Sequence, residues 1–313
     1  MPRIFHDLTE AVGHTPLVQV NRLTADAQQG TRVLAKLESF NPASSIKDRT
    51  ALSIVRAAEA DGSLGQGRGI LEATSGNTGI ALAWIGAVRG YRVVIVMPDD
   101  VSLERRTLIK ALGAELVLTP GDEGMGGANQ RAGEILEADP SLVLTGQGGN
   151  EANPRVHFGT TGPEIWDDTD GEVDVLVATT GTGGTISGAG RFLKQVKADI
   201  EVIGVEPAEA PVLSGGEWQP HKIQGITGGD GTPPVTDVEV IDRMVAVEQD
   251  QAIETSRRAA RLEGLIVGIS SGAALLAATR LAAEPAYAGK TIAAVLPDTG
   301  ERYITSELFD HVR

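Results

Sequence analysis

Short apolar runs rich in β-branched residues alternate with helically spaced apolar positions along nearly all of the 313 residues. The runs at 33–37, 69–73, 92–97, 115–118, 142–144, 173–179, 201–206, 238–247 and 291–296 read as strands. Between them, 46–61, 78–89, 103–112, 125–138, 154–168, 184–197, 249–263 and 271–283 read as helices. Such alternation predicts an α/β protein with open, mostly parallel twisted sheets flanked by helices. No repeat of 20–50 residues is visible, which argues against a solenoid. Two stretches break the pattern and read as hinges or lids: Thr145-Gly-Gln-Gly-Gly-Asn150, and 207–234 with its Gly215-Gly216, Gly228-Gly229 and Pro233-Pro234 pairs. The second is too long for an ordinary connection.

Four strand ends carry the candidate chemistry. In Asn41-Pro-Ala-Ser-Ser-Ile-Lys-Asp-Arg49, Pro42 holds the preceding residue extended and Ser44 or Ser45 can cap the helix that follows. Lys47 then sits at a helix start, where electrostatics disfavours the ammonium and favours a neutral amine able to form a Schiff base. The loop Thr74-Ser-Gly-Asn-Thr-Gly79 joins a strand to an apolar helix, and its hydroxyls and N–H groups suit a carboxylate. Gly181-Thr-Gly-Gly-Thr-Ile-Ser-Gly188 has the same setting and reads as a phosphate cradle without a nucleotide signature. Gly268-Ile-Ser-Ser-Gly272 fits a nucleophile elbow, with Asp298 and His311 following in hydrolase order. Against a hydrolase, His311 stands two residues from the last and no HGGG-type segment is present.

Composition narrows these readings. The length suggests two domains at about 150 residues each, and 39 glycines exceed the roughly 22 expected. Glycine in such excess points to tight turns and backbone-lined sites. The net charge of −15 disfavours nucleic-acid binding; the acidity reads first as a means of solubility, and its arginine-rich, lysine-poor character offers a saline cytoplasm as the alternative. An anionic ligand would then need a site that is locally positive. With no cysteine, disulfides, thiolate metal sites and a cysteine nucleophile are excluded. The five histidines have no metal-ligand spacing, so no metal is expected, and Arg105-Arg106 reads as a solvated helix face. No apolar run is long enough to span a membrane, so a cytoplasmic location is expected.

In this order, and with Gly13-His-Thr-Pro-Leu17 before and Thr160-Thr-Gly-Pro-Glu-Ile-Trp166 between, the motifs resemble the cysteine synthase (O-acetylserine sulfhydrylase) family. The resemblance implies the tryptophan-synthase-β-like fold (fold type II) of pyridoxal 5′-phosphate enzymes. It implies a smaller mobile α/β domain at 44–148 and a larger one from 1–43 and 149–313, with the cofactor between them. By resemblance, Lys47 carries the cofactor, Asn77 bonds its 3′-hydroxyl, Gly181, Thr182, Gly183, Gly184 and Thr185 cradle its phosphate, and Ser270 faces its pyridine nitrogen. Thr74, Ser75, Thr78 and Gln147 would hold the substrate carboxylate. The implied reaction is β-replacement of O-acetyl-L-serine by sulfide through an α-aminoacrylate, giving L-cysteine. A homodimer is the family expectation, with serine acetyltransferase as a candidate partner.

Departures keep neighbouring activities open. After His221-Lys-Ile-Gln-Gly-Ile226 the chain reads Thr-Gly-Gly-Asp-Gly-Thr-Pro-Pro234 where A-type enzymes place an aromatic residue. Leu296-Pro-Asp-Thr-Gly300 carries Asp298 and Thr299 in place of two serines. O-phosphoserine or thiosulfate use and cystathionine β-synthase activity are the near alternatives. A serine hydrolase using Ser270 and a non-catalytic peptide-binding protein are the distant ones.

Overall fold

The computed structural model describes residues 4–229 and 231–313. Its strands are β1 (Leu17–Val20), β2 (Arg32–Leu37), β3 (Gly69–Ala73), β4 (Val93–Pro98), β5 (Glu115–Thr119), β6 (Leu142–Leu144), β7 (Val175–Thr179), β8 (Glu201–Pro207), β9 (Arg243–Val247) and β10 (Thr291–Leu296). Its α-helices are α1 (Lys47–Ala60), α2 (Asn77–Arg89), α3 (Leu103–Ala111), α4 (Gly124–Ala138), α5 (Ala152–Val156), α6 (Gly162–Asp168), α7 (Gly184–Val196), α8 (Gln249–Glu263) and α9 (Ile269–Ala283). They form two sheets, one of four strands in the order β5-β4-β3-β6 and one of six in the order β1-β2-β10-β7-β8-β9. All pairings are parallel except that of β1 with β2.

Both faces of each sheet are covered, and successive strand residues alternate between two cores. Along β10, Ile292, Ala294 and Leu296 join α9 on one side while Ala293 and Val295 face the α7 side. In the smaller sheet Ile70, Val93, Ile95 and Met97 pack towards α2, whereas Leu71, Val94 and Val96 pack towards α4. Central strands β3, β4 and β10 are buried at every position, and the edge strands β1, β5 and β9 are not. The expectation of open, mostly parallel sheets flanked by helices therefore holds.

Three local expectations need correction. The predicted strand at 238–247 opens with a 3-10 turn, Val238–Val240, and ladder pairing begins only at Arg243. The predicted helix at 154–168 is divided by a π turn, His157–Thr161, just before Pro163. Proline has no N–H to offer the carbonyl one turn earlier, so the regular ladder cannot run through. Strand β1 is an addition to the sequence reading: Gln19 interrupts its apolar run at the edge of the sheet.

A buried ion cluster anchors the start of α1. Arg49 donates to Glu38 at 2.7 and 3.0 Å and to Glu164 at 2.7 Å through each terminal nitrogen. Lys36, fully buried, lies 3.0 Å from Glu164. Removing one partner would strand a buried charge, so the cluster fixes the position of the helix turn that carries Lys47.

Candidate active site

The C-terminal ends of β3, β7 and β10 open onto one cavity of about 500 Å³ between the two sheets. Open parallel sheets place ligands at that edge because loops and helix N-termini converge there. All twelve residues singled out from sequence line it. Lys47 comes from the start of α1, Thr74, Ser75, Asn77 and Thr78 from the β3–α2 turn, and Gln147 from the loop after β6. Gly181, Thr182, Gly183, Gly184 and Thr185 come from the β7–α7 turn, and Ser270 from the first turn of α9.

Lys47 is half-buried and its amine is pulled down to about 8, mainly by loss of water and against the pull of the Glu72 carboxylate. The direction agrees with the sequence argument, but burial is the main cause. Ser45 accepts from the Lys47 N–H at 3.2 Å, while Ser44 takes a left-handed conformation, φ +61°. Glu72 is itself buried, which raises its pKa. Its Oε2 accepts from the Thr145 hydroxyl and from the Gly146 N–H at 2.8 Å.

The Thr78 hydroxyl donates to Gln147 Oε1 at 2.7 Å, so two loops of the smaller sheet are joined and the Gln147 N–H groups are left to donate. The β7–α7 turn is tightly enclosed. A Cβ on Gly181 would lie 2.5 Å from Gly225 O, one on Gly183 2.1 Å from Thr236 Oγ1, and one on Gly184 2.1 Å from Asn153 Oδ1. Gly183 also has φ +76°, a region that L side chains rarely adopt. Asn153 donates to Thr182 Oγ1 at 2.9 Å, and His157 stands 3.3 Å from Thr185 Oγ1. Burial pushes the His157 pKa well below 6.5, aided by Arg49 and Lys47, so its ring is neutral.

The structure overturns the reading of Arg105 and gives Asp298 partners that the sequence did not show. Arg105 is buried rather than solvated; it lines the cavity and its guanidinium stacks 5.0 Å from the centre of the Tyr303 ring. Ile109, one helical turn on and fully buried, is the sequence signal that placed Arg105 on the inner face of α3. Asp298 Oδ2 accepts from Asn77 Nδ2 and from the Tyr303 hydroxyl, both at 2.7 Å. The hydrolase arrangement does not form, because Ser270 and Asp298 are buried while His311 is exposed in the turn Glu307–Val312. Nor do its charged side chains give the cavity an excess of positive charge. Among its described lining residues, Lys47 and Arg105 are balanced by Glu72 and Asp298.

A part-neutral amine facing an anion cradle at the edge of parallel sheets defines a cofactor-binding α/β enzyme. The family model for pyridoxal-phosphate dependent enzymes matches residues 8–298, and the chain belongs to that family. Cysteine synthase A of Salmonella typhi is 46% identical over 318 residues, covering 99% of this chain and 97% of the relative. The structure of cysteine synthase (OASS) from Entamoeba histolytica matches with a TM-score of 0.95 at 44% identity, covering 98% of this chain and 91% of that one. That of O-ureido-L-serine synthase matches with a TM-score of 0.94 at 44% identity, covering 99% and 97%.

The cofactor is pyridoxal phosphate, and the cavity fits it on two features of its own. The enclosed cradle exposes backbone N–H groups at a helix start where a Cβ would not fit, and the only lysine on the described lining is the one with a depressed pKa.

Proposed function

We propose that this protein synthesises L-cysteine by replacing the acetoxy group of O-acetyl-L-serine with sulfide. The observation that carries the reading is that the four segments singled out from the sequence, that of Lys47 among them, line one cavity in a chain 46% identical to cysteine synthase A. Lys47 would hold the cofactor, and its Nζ, when free, would take the α-proton of the bound substrate as general base. A pKa of about 8 leaves an appreciable fraction of that amine neutral near pH 7. The bound cofactor supplies a sink for the electron pair left when the α C–H bond breaks.

The chain's other residues bind and orient. Residues 181–185 hold the phosphate, Asn77 the ring oxygen and Ser270 the pyridine nitrogen. As a hydroxyl, Ser270 cannot keep that nitrogen protonated as a carboxylate would, which favours elimination over transamination. Thr74, Ser75, Thr78 and Gln147 grip the substrate carboxylate, and the Thr78–Gln147 bond supports their acting together. Residues 44–148 form the smaller domain and close over the substrate once its carboxylate is bound.

The protein works in the cytoplasm; no described helix is long and apolar enough to cross a membrane. It forms a homodimer. An apolar groove with Ile80, Trp84 and the exposed Leu103 and Leu108 supports self-association, and the active cleft is the place to look for serine acetyltransferase binding.

The reading is tested by loading the purified protein with pyridoxal phosphate and assaying products. The protein should turn yellow, Lys47→Ala should lose the visible absorbance, and O-acetylserine with sulfide should give L-cysteine. A protein that stays colourless overturns the reading. One that prefers O-phosphoserine, thiosulfate or homocysteine overturns the substrate assignment.

A further inference from the structure

The strand end after β10 lies between two segments of the site. Ile46 N–H donates to Pro297 O at 2.8 Å, just before Lys47, and Gly268 N–H donates to Asp298 O at 3.2 Å, just before Ser270. The Asp298 side chain is 1% exposed, so its hydrogen-bond partners are few and decisive. Oδ2 holds Asn77 and Tyr303, whereas Oδ1 is buried without a partner and packed against Gly268, where a Cβ would come within 2.0 Å. On the other edge of the same Asn77 amide, Arg302 Nη1 donates to Oδ1 at 3.0 Å.

These neighbours leave the amide one orientation. A guanidinium can only donate and a carboxylate can only accept. Turning the amide over would set N–H against N–H on one side and oxygen against oxygen on the other. Asp298 lines the cavity between the sheets, while Arg302 lines a separate groove formed with α2 and α3. The nitrogen edge of Asn77 is therefore on the side of the cavity, and the oxygen edge is turned away from it. After its bond to Asp298, the nitrogen keeps one N–H to offer.

We propose that Asp298 is a positioning residue that, with Arg302, locks the Asn77 amide so that it presents a donor to the cavity. The matching ligand atom is an acceptor, and because an oxyanion accepts more strongly than a hydroxyl, the amide favours the deprotonated form of the cofactor's ring oxygen. This inference rests on the proposed placement of Asn77 beside that oxygen. Its particular content is that a residue which does not reach the oxygen sets the oxygen's protonation through the amide.

The test uses apoprotein titrated with pyridoxal phosphate, followed by equilibrium dialysis, together with the absorbance spectrum of the loaded protein at one fixed pH. Asp298→Ala should weaken cofactor binding about tenfold, the effect of losing one buried charged hydrogen bond. It should also move absorbance from the longer-wavelength band to the shorter-wavelength band of the protonated ring oxygen. Asp298→Asn, which keeps the shape, should give a smaller displacement in the same direction. Asn77→Ala should give the full displacement, and adding Asp298→Ala to it should change nothing more, because the second residue acts through the first. Tyr303→Phe, which deletes the other donor to the same carboxylate oxygen, should leave the band in place.

Additive effects of Asn77→Ala and Asp298→Ala, or a band unmoved in Asp298→Ala that still binds cofactor, would overturn this inference alone. A displacement in Tyr303→Phe as large as in Asp298→Asn would also overturn it. A wild-type protein that binds no cofactor would overturn the functional reading, and this inference with it.

Discussion

Two walls of the cavity solve the problem of burying polar groups in opposite ways. The β7–α7 turn uses backbone and neutral side chains, with glycines enclosed by Thr236, Asn153 and Gly225. The wall behind Asn77 uses charge: Arg302, Asp298 and Arg105 are all buried and meet through Asn77 and Tyr303. The first wall is specified by shape, so it should fail when atoms are added. The second is specified by pairing, so it should fail when atoms are removed.

The largest expected effect is at the glycine wall. Gly183→Ala adds a Cβ within 2.1 Å of Thr236 Oγ1 at a residue with φ +76°. Backbone strain of this kind costs on the order of 1–3 kcal/mol before any clash. Cofactor affinity, read by equilibrium dialysis, should fall about 100-fold. Adding Thr236→Ala should restore the steric part and leave the conformational part. Wild-type affinity in Gly183→Ala would remove the distinction between the walls.

A smaller effect concerns Lys47, which stands between the two. Its folded pKa of about 8 lies below the ordinary lysine value of 10.5. Between those values the unfolded chain holds the extra proton, so this group's contribution to apoprotein stability rises with pH over that window and is least below it. Cofactor capture needs the neutral amine, so its rate should rise about tenfold from about pH 7 to about pH 9 and level off above. Stopped-flow absorbance reads this directly. A rate still climbing steeply beyond about pH 9.5 would mean that the amine remains hydrated.

The walls also differ in how much of them the sequence discloses. Every residue of the glycine wall stands in one run, Gly181-Thr-Gly-Gly-Thr185, between a strand and a helix, so its chemistry is local and legible. What that run conceals is the reason for each glycine, since Asn153 and Thr236 close in from distant segments. The charged wall is assembled across separations of 221 residues between Asn77 and Asp298 and 225 between Asn77 and Arg302. Asp298 stands out in the sequence as a departure from the family motif and as a residue in hydrolase order, neither of which points to Asn77, and Arg105 only as a charged residue on a helix. The strands were legible because buried apolar runs carry their own signal; β1, half-exposed and interrupted by Gln19, and the π turn at His157–Thr161, dependent on a single proline, were not.

The smallest effect tests whether the charged wall carries stability as well as orientation. The Arg105 guanidinium stacks on Tyr303, and one of its N–H groups donates to Gln224 in the long 207–234 segment. A largely desolvated cation on an aromatic face contributes about 1–2 kcal/mol. Arg105→Ala should lower urea stability by about that amount. Arg105→Lys should recover less than half, because an ammonium keeps the charge but not the planar stack. With Tyr303→Leu already in place, Arg105→Ala should cost markedly less, since the partner of the stack is gone. If the two substitutions are additive, Arg105 is held by Gln224 and its helix rather than by the ring, and the pairing principle stops at Asp298.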